Sequence, residues 1–211
     1  AFLDSNKILF ANQSGFRPKH STESCLTHLC DRINEGCDSG CHTGMILIDL
    51  QKAFDTINHD ILLDKMKFMK FSKETISWFK SYLSNRKFFV NVENTFSESA
   101  NLKCGVPQGS ILGPLLFLLY INDLPQAIAF CDIRVYADDT CIYFKDINIK
   151  TIEDTLNKDF NALCDWFVDN KLSIHFGEDK TKTILFSPKN LRKSAENIII
   201  KRNEVSLKQF S

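Results

Sequence analysis

The sequence predicts an α+β fold, an antiparallel sheet with helices packed on one face. Three observations carry this: apolar runs of strand length, longer segments with apolar residues at helical spacing, and an order of the two that is mixed rather than strictly alternating. The 211 residues are 44% hydrophobic and include 18 Phe, enough for a real core and too many for a disordered or collagen-like chain. The longest nearly unbroken apolar run, Ile111 to Ile121, has eleven residues and contains Gly113 and Pro114. A membrane-spanning helix needs roughly twenty apolar residues, so no membrane segment is expected. The first seven residues lack a basic region ahead of a long apolar stretch, so no secretory signal is expected, and without an initiator Met the chain reads as a fragment.

Asn12 to His20 reads as a Gly/Pro loop, after which Ser21 caps a helix through Gly36 carrying Leu26, Leu29, Cys30 and Ile33 at helical spacing. Met45 to Ile48 is a short buried strand that runs into Asp49. Ile61 to Phe71 and Lys73 to Leu83 read as helices, followed by the basic loop Ser84-Asn85-Arg86-Lys87. Phe88 to Val92 and Glu98 to Leu102 form a hairpin around Asn94. Cys104 to Ser110 is a loop, and Leu115 to Asn122 is apolar enough all round to be a buried helix. Ile133 to Ala137 and Thr140 to Phe144 are strands with Asp138-Asp139 as their tight connection. Ile152, Leu156, Phe160, Leu163 and Phe167 trace one stripe of a long helix ending near Asn170. Leu172 to Phe176 and Thr183 to Phe186 are strands, and the last twenty-five residues are a basic, weakly patterned tail.

With 26 basic and 26 acidic residues the formal net charge is zero, but the segments 1–61, 62–90, 91–121, 122–170 and 171–211 carry −3, +5, −1, −6 and +5. An acidic centre between basic flanks suits a protein that holds metal ions and a polyanion together; solvated helix faces produce the same pattern. The eight cysteines are too dilute for a disulfide scaffold and read as buried thiols. Cys25, His28, Cys30, Cys37, Cys41 and His42 include zinc-ligand types without a C-x-x-C knuckle. Because Cys25, Leu26, Leu29, Cys30 and Ile33 share a helical face, core packing rather than zinc is expected there.

Adjacent aspartates in a turn place like charges a few ångströms apart, which is unfavourable unless a cation neutralises them or one protonates. Asp49, at the end of another strand, completes a carboxylate site if the two strands are neighbours. Hard oxygen donors favour Mg²⁺ with waters and substrate phosphates in the remaining positions, and hence phosphoryl transfer. On residues alone an Asp-Asp turn is more often a turn former and N-cap than a metal site.

Five blocks in order extend the pattern: Asn12-Gln13-Ser14-Gly15-Phe16-Arg17-Pro18, Ile48 through Asp55, Gly105-Val106-Pro107-Gln108-Gly109-Ser110, Tyr136-Ala137-Asp138-Asp139, and Trp166 through Lys182. Over about Asn12 to Phe186 the chain resembles the reverse transcriptase domain of non-LTR (LINE-type, jockey-like) retrotransposons. The resemblance implies a right-hand polymerase palm with partial fingers and the thumb missing. Residues 1–44 and 61–104 would be fingers and palm elements, 45–60 and 105–186 catalytic palm, and 187–211 a tail leading toward primer grip and thumb. It implies an RNA-directed DNA polymerase that works with an RNA template, a DNA primer and deoxynucleoside triphosphates inside the cell, in nucleus or cytoplasm, the nucleus being expected for an element of this type.

By the same resemblance Asp49, Asp138 and Asp139 bind two Mg²⁺ ions, with Mn²⁺ as an alternative, and the Leu50 carbonyl is a further ligand beside the nucleotide. Phe54 is a steric gate against the ribose 2′-hydroxyl. Gln108 and Gly109 lie beside the incoming nucleotide and template, and Arg17, Tyr136 and Ala137 on the template and primer side. Lys180 neutralises the departing pyrophosphate, with Lys182 as the alternative. Asp55 and His59 read as structural. The second reading is a truncated, catalytically inert polymerase relic that binds nucleic acid.

Overall fold

The structure, a computed structural model, describes residues 2–107, 109–177, 180–191, 197–203 and 205–210. In chain order the elements are α1 (Phe2–Ser5), α2 (Thr22–Asp38), β1 (His42–Ile48), α3 (His59–Phe68), α4 (Lys73–Leu83), β2 (Lys87–Phe88), β3 (Asn91–Val92), β4 (Thr95–Phe96), β5 (Ala100–Asn101) and α5 (Leu112–Tyr120). A 3₁₀ turn (Leu124–Ala127) leads to β6 (Asp132–Tyr136), β7 (Asp139–Asp146), α6 (Ile149–Asp169), β8 (Lys182–Phe186), β9 (Lys201–Arg202), β10 (Val205–Ser206) and β11 (Lys208–Phe210). They group into two compact units, Ala1–Ile8 with Lys52–Ile121, and Leu9–Gln51 with Asn122–Ser211.

The first unit is built on α3, α4 and α5. Asn58 caps α3 by accepting the Asp60 and Ile61 N–H groups, and Ser72 caps α4 through Thr75. Helix α5 begins earlier than periodicity indicated, because Gly113 and Pro114 sit in its first turn, where a missing proline N–H costs nothing. Leu116 through Tyr120 are buried on all sides, as their unbroken apolar character requires. Between α4 and α5 the predicted hairpin is broken into two short ladders, Lys87–Phe88 with Ala100–Asn101 and Asn91–Val92 with Thr95–Phe96.

The second unit is organised by a five-stranded sheet in the order β11-β8-β1-β7-β6. Central β1 pairs antiparallel with β7 from His42↔Asp146 to Ile48↔Thr140, and with β8 from Thr43↔Phe186 to Leu47↔Lys182. Helix α6 covers one face with the predicted stripe, Ile152, Leu156, Phe160, Leu163 and Phe167, each at most 1% exposed. Gly44 marks the contact, since a Cβ there would lie 2.4 Å from Ile152 Cγ2 and 2.7 Å from Leu156 Cδ1. Met45, one residue on and therefore on the opposite face, packs with Cys141 and Tyr143 against Leu29 and Ile33 of α2. The helices thus take both faces of the sheet, not one, and β1 is accordingly an uninterrupted buried run from His42 to Ile46.

Four further expectations are corrected. Leu172 to Phe176 forms a single bridge, Leu50↔Ile174, rather than a strand, because its partner segment stays extended only as far as Leu50 and bends from Gln51. Asp139 already belongs to β7, opposite Tyr136, so the two-residue turn is Ala137-Asp138. Among the described residues of the tail, Lys201–Arg202 pair with Val205–Ser206 as β9 and β10, and β11 joins β8 in parallel; Ile198, Ile200 and Leu207 are buried, and Asn157 of α6 holds the Ile199 carbonyl and the Lys201 N–H. Of the cysteines only Cys131, Cys141 and Cys164 are buried, and burial pushes the Cys141 thiol up to about 12 and that of Cys164 to about 11. Cys30 is exposed because α2 is a surface helix.

Candidate active site

Antiparallel pairing of β1 with β7 is what assembles the acidic site. Ile48 lies opposite Thr140, so the residue after β1, Asp49, and the first residue of β7, Asp139, emerge at the same end of the sheet. Asp138 is held beside them by the turn between β6 and β7. The strands that had to be neighbours for Asp49 to join the aspartate pair are neighbours.

Backbone bonds fix Asp49 from both sides. Its N–H donates to Thr181 Oγ1 at 3.2 Å and its carbonyl accepts the His175 N–H at 2.8 Å. The next peptide is pinned as well, Gln51 N–H to the Ser173 carbonyl at 2.8 Å, which leaves Leu50 buried. The carboxylate is half-buried; its Oδ2 lies 3.2 Å from Lys180 Nζ and 3.8 Å from His175 Nδ1. Both partners come from the segment after α6, the Lys180 ammonium being half exposed, so the pair is worth little to stability and leaves the lysine free to swing. Lys182 instead lies within β8, opposite Leu47.

Electrostatic crowding is strongest at Asp139, whose carboxyl is raised above the ordinary range first by burial, then by Asp138 and Asp49. A raised carboxyl favours the fold below the ordinary carboxylate range, and that contribution is lost as pH rises through the shifted value. At neutral pH the three carboxylates therefore repel one another, tempered at Asp139 by its exposure to solvent. A divalent cation removes that repulsion. Among the described residues no three His, Cys, Asp or Glu side chains close on one point as a preformed metal cage would. Mg²⁺ does not ask for one: it is held by one or two carboxylates and completes its octahedron with waters and phosphates, so this all-oxygen, partly open set fits it.

Beside the carboxylates lies a cleft of about 540 Å³, lined by Leu47, Ile48, Asp49, Tyr136, Asp139 and Thr140 among others. Its size falls in the range of small-ligand sites. Ala137 stands in the turn at φ +57°, a conformation more often given to glycine.

The remaining predicted residues fall as follows. Arg17 Nη1 donates to the Phe10 and Gln13 carbonyls at 2.9 and 3.1 Å, so its guanidinium holds its own loop. Phe54, in the first unit, is half-buried and stacked on Phe117 with ring centroids 4.6 Å apart. Gly109, in the same unit, has φ +75° with open space where a Cβ would stand. Gln108 lies outside the described residues. His59 Nε2 donates to the Gly105 carbonyl at 2.7 Å, and the Gly105 and Val106 N–H groups donate to Ile57 and Phe54, lacing residues 54–59 to the 105–106 loop. At Gly105, with φ +83°, a Cβ would lie 2.6 Å from the Asp55 carbonyl oxygen, so only glycine fits. Sequence reasoning gave no role to Thr181, His175 or Gln13; each acts through the backbone or at long sequence separation, where periodicity carries no signal.

The sheet, the carboxylate turn on its hairpin and the third carboxylate on the adjacent strand define a class. The chain belongs to the reverse transcriptase (RNA-dependent DNA polymerase) family, whose profile matches residues 2–205. Among individual proteins it is 37% identical over 149 residues to the probable RNA-directed DNA polymerase from transposon BS of Drosophila melanogaster, covering 67% of this chain and 16% of that protein. It is 32% identical over 173 residues to the RNA-directed DNA polymerase from mobile element jockey of Drosophila funebris, covering 79% and 19%. The chain therefore spans less than a fifth of the length of these relatives. Among solved structures, apo telomerase from Candida tropicalis matches with a TM-score of 0.57 at 14% identity, covering 98% of this chain and 38% of that one, a likeness of fold.

Proposed function

We propose that this chain is the catalytic core of a retrotransposon RNA-directed DNA polymerase, extending a DNA primer with deoxynucleotides on an RNA template. The observation that carries the reading is the β1–β7 register, Ile48 opposite Thr140, which delivers Asp49 and Asp139 to one end of the sheet beside Asp138. The β1, β6, β7 sheet with α6 behind it would be the palm, and the reaction would take place in the nucleus.

Asp49, Asp138 and Asp139 would hold the divalent ions, with the Leu50 carbonyl as a further oxygen; bound there, Mg²⁺ would supply Lewis acidity toward the primer 3′-hydroxyl and the leaving pyrophosphate. Lys180, 3.2 Å from Asp49 Oδ2 and half exposed, is placed to release that carboxylate and turn its ammonium to the departing pyrophosphate. Tyr136, on the wall of the cleft, meets the primer end. Gly109, with no side chain and open space around it, allows a nucleotide to approach the backbone.

Phe54 excludes ribonucleotides by collision with the 2′-hydroxyl, its ring kept in one orientation by the stack on Phe117. The test is primer extension by the intact protein on poly(rA) with oligo(dT), Mg²⁺ and either dTTP or UTP. Wild type is expected to incorporate dTTP and reject UTP, and Phe54→Val to raise UTP relative to dTTP by about tenfold or more, since an excluding clash is removed. Template binding without any incorporation would favour the inert relic, and unchanged discrimination would leave Phe54 a packing residue for Phe117.

A further inference from the structure

We propose that Gln13 is the positioning residue of the metal-binding turn, its carboxamide holding Ala137 in the left-handed conformation that presents Asp138 and Asp139 beside Asp49. The inference rests on the carboxylates being the metal site.

Gln13 is a polar side chain only 4% exposed. Its Oε1 accepts the Ala137 N–H at 3.0 Å and the Gly15 N–H at 2.8 Å, and its Nε2 donates to the Ala137 carbonyl at 3.3 Å. One side chain thus satisfies both backbone groups of the turn residue at φ +57°. Alanine resists that conformation and glycine does not, so the turn needs an external hold that a glycine turn would not need.

The strap that brings Gln13 to this point is itself fastened. β6 ends the strand order of the sheet, and residues 12–14 lie along its outer edge in parallel, with the Val135 N–H donating to the Asn12 carbonyl at 3.1 Å and the Ser14 N–H to the Val135 carbonyl at 2.8 Å. Gly15 follows because a Cβ there would lie 2.2 Å from Ala137 N. Arg17 closes the loop by donating to the Gln13 carbonyl itself. Gln13 and Gly15 thus meet the Ala137 peptide directly, and Arg17, from the same sequence block, holds the Gln13 backbone. None of them needs to touch substrate.

The experiment uses the intact protein carrying Gln13→Met, which keeps length and burial and removes all three hydrogen bonds, with Asp138→Asn alongside. Mn²⁺ affinity is measured by electron paramagnetic resonance, the Mg²⁺ concentration for half-maximal incorporation by primer extension, and the Ala137 amide by hydrogen exchange. Loss of such a supporting bond to a metal site typically costs 10–100-fold in affinity, and a weakening of about that size is expected for Mn²⁺. The Mg²⁺ requirement should rise in parallel and the Ala137 amide exchange faster while those of β1 stay protected. Adding Ala137→Gly, which lets the turn adopt φ +57° unaided, should restore most of the affinity. Should Gln13→Met fail to fold, Gln13→Asn, polar but one methylene too short, carries the same expectation. Unchanged Mn²⁺ affinity in a folded Gln13 variant, with affinity abolished by Asp138→Asn, overturns the proposal alone; unchanged affinity in Asp138→Asn overturns the metal site beneath it.

Discussion

Asp138→Asn in the intact protein is expected to reduce deoxynucleotide incorporation on poly(rA)·oligo(dT) by about a thousandfold or more, a barrier increase of about 4 kcal/mol. Asn keeps the shape of the side chain and one acceptor oxygen, so the turn, whose backbone is held at Ala137 rather than through the Asp138 carboxylate, has no reason to move. What disappears is a charge needed only when cations and triphosphate are assembled. Because Asp138 also raises the Asp139 carboxyl, removing it relieves repulsion in the absence of metal. The thermal midpoint of the variant should therefore equal or exceed that of wild type at neutral pH. Loss of activity with undiminished stability is the signature of a functional carboxylate; undiminished synthesis would remove Asp138 from the chemistry.

The second large effect belongs to an acid with the opposite signature. Asp159, on α6 and 2% exposed, accepts three consecutive backbone N–H groups ahead of β6: Ala129 at 3.2 Å, Phe130 at 2.9 Å and Cys131 at 2.7 Å. A buried carboxylate with three peptide donors substitutes for a missing strand partner and fixes where β6 begins, and so where its far end carries the turn. Asp159→Ala strands those donors in an apolar site, and we expect a loss of about 3 kcal/mol. At the two to four degrees per kcal/mol usual for a chain of this size, the midpoint should fall by roughly 6–12 °C. Asp159→Asn, which retains one acceptor oxygen, should fall about half as far. A midpoint within a degree of wild type for Asp159→Ala would mean that the three donors are satisfied otherwise.

These two acids show what the sequence made legible. Asp138 stands in a turn between two strand-like runs, so its local setting could be read directly, and β1 ending in Asp49 supplied the rest once the strands proved adjacent. The α6 stripe was readable for the same reason: Ile152 to Phe167 repeat at the helical period, and all five are buried. Asp159 lies on that helix with nothing in its neighbourhood to mark it, since its partners are 28 to 30 residues away in the chain. Gln13 is further still, 124 residues from Ala137. Buried polar groups are chosen by tertiary backbone donors, and no periodicity reports those.

The cover on both faces of the sheet has a mark in the sequence. Met45-Ile46-Leu47-Ile48 is an unbroken apolar run, the mark of a strand covered on both faces, which argues against helices on one face only. Ile198-Ile199-Ile200 is a β-branched run, but three residues in a basic segment are too few to mark a strand, and the burial of Ile198 and Ile200 with Ile199 exposed is set by the tertiary contacts. The turn lies one residue ahead of the Asp-Asp pair, which is the stronger turn signal in sequence, because the conformation that closes it is borne by Ala137, held from outside.

The most direct test of the central claim is iron-mediated cleavage. With Fe²⁺ in place of Mg²⁺, ascorbate and peroxide generate hydroxyl radicals at the bound ion and cut the nearest backbone. If Asp49, Asp138 and Asp139 share a metal site, cuts cluster around residue 49 and around 137–139, are suppressed by excess Mg²⁺, and vanish in Asp138→Asn. Cuts confined to one of the two segments, or elsewhere in the chain and insensitive to both Mg²⁺ and Asp138→Asn, would contradict it.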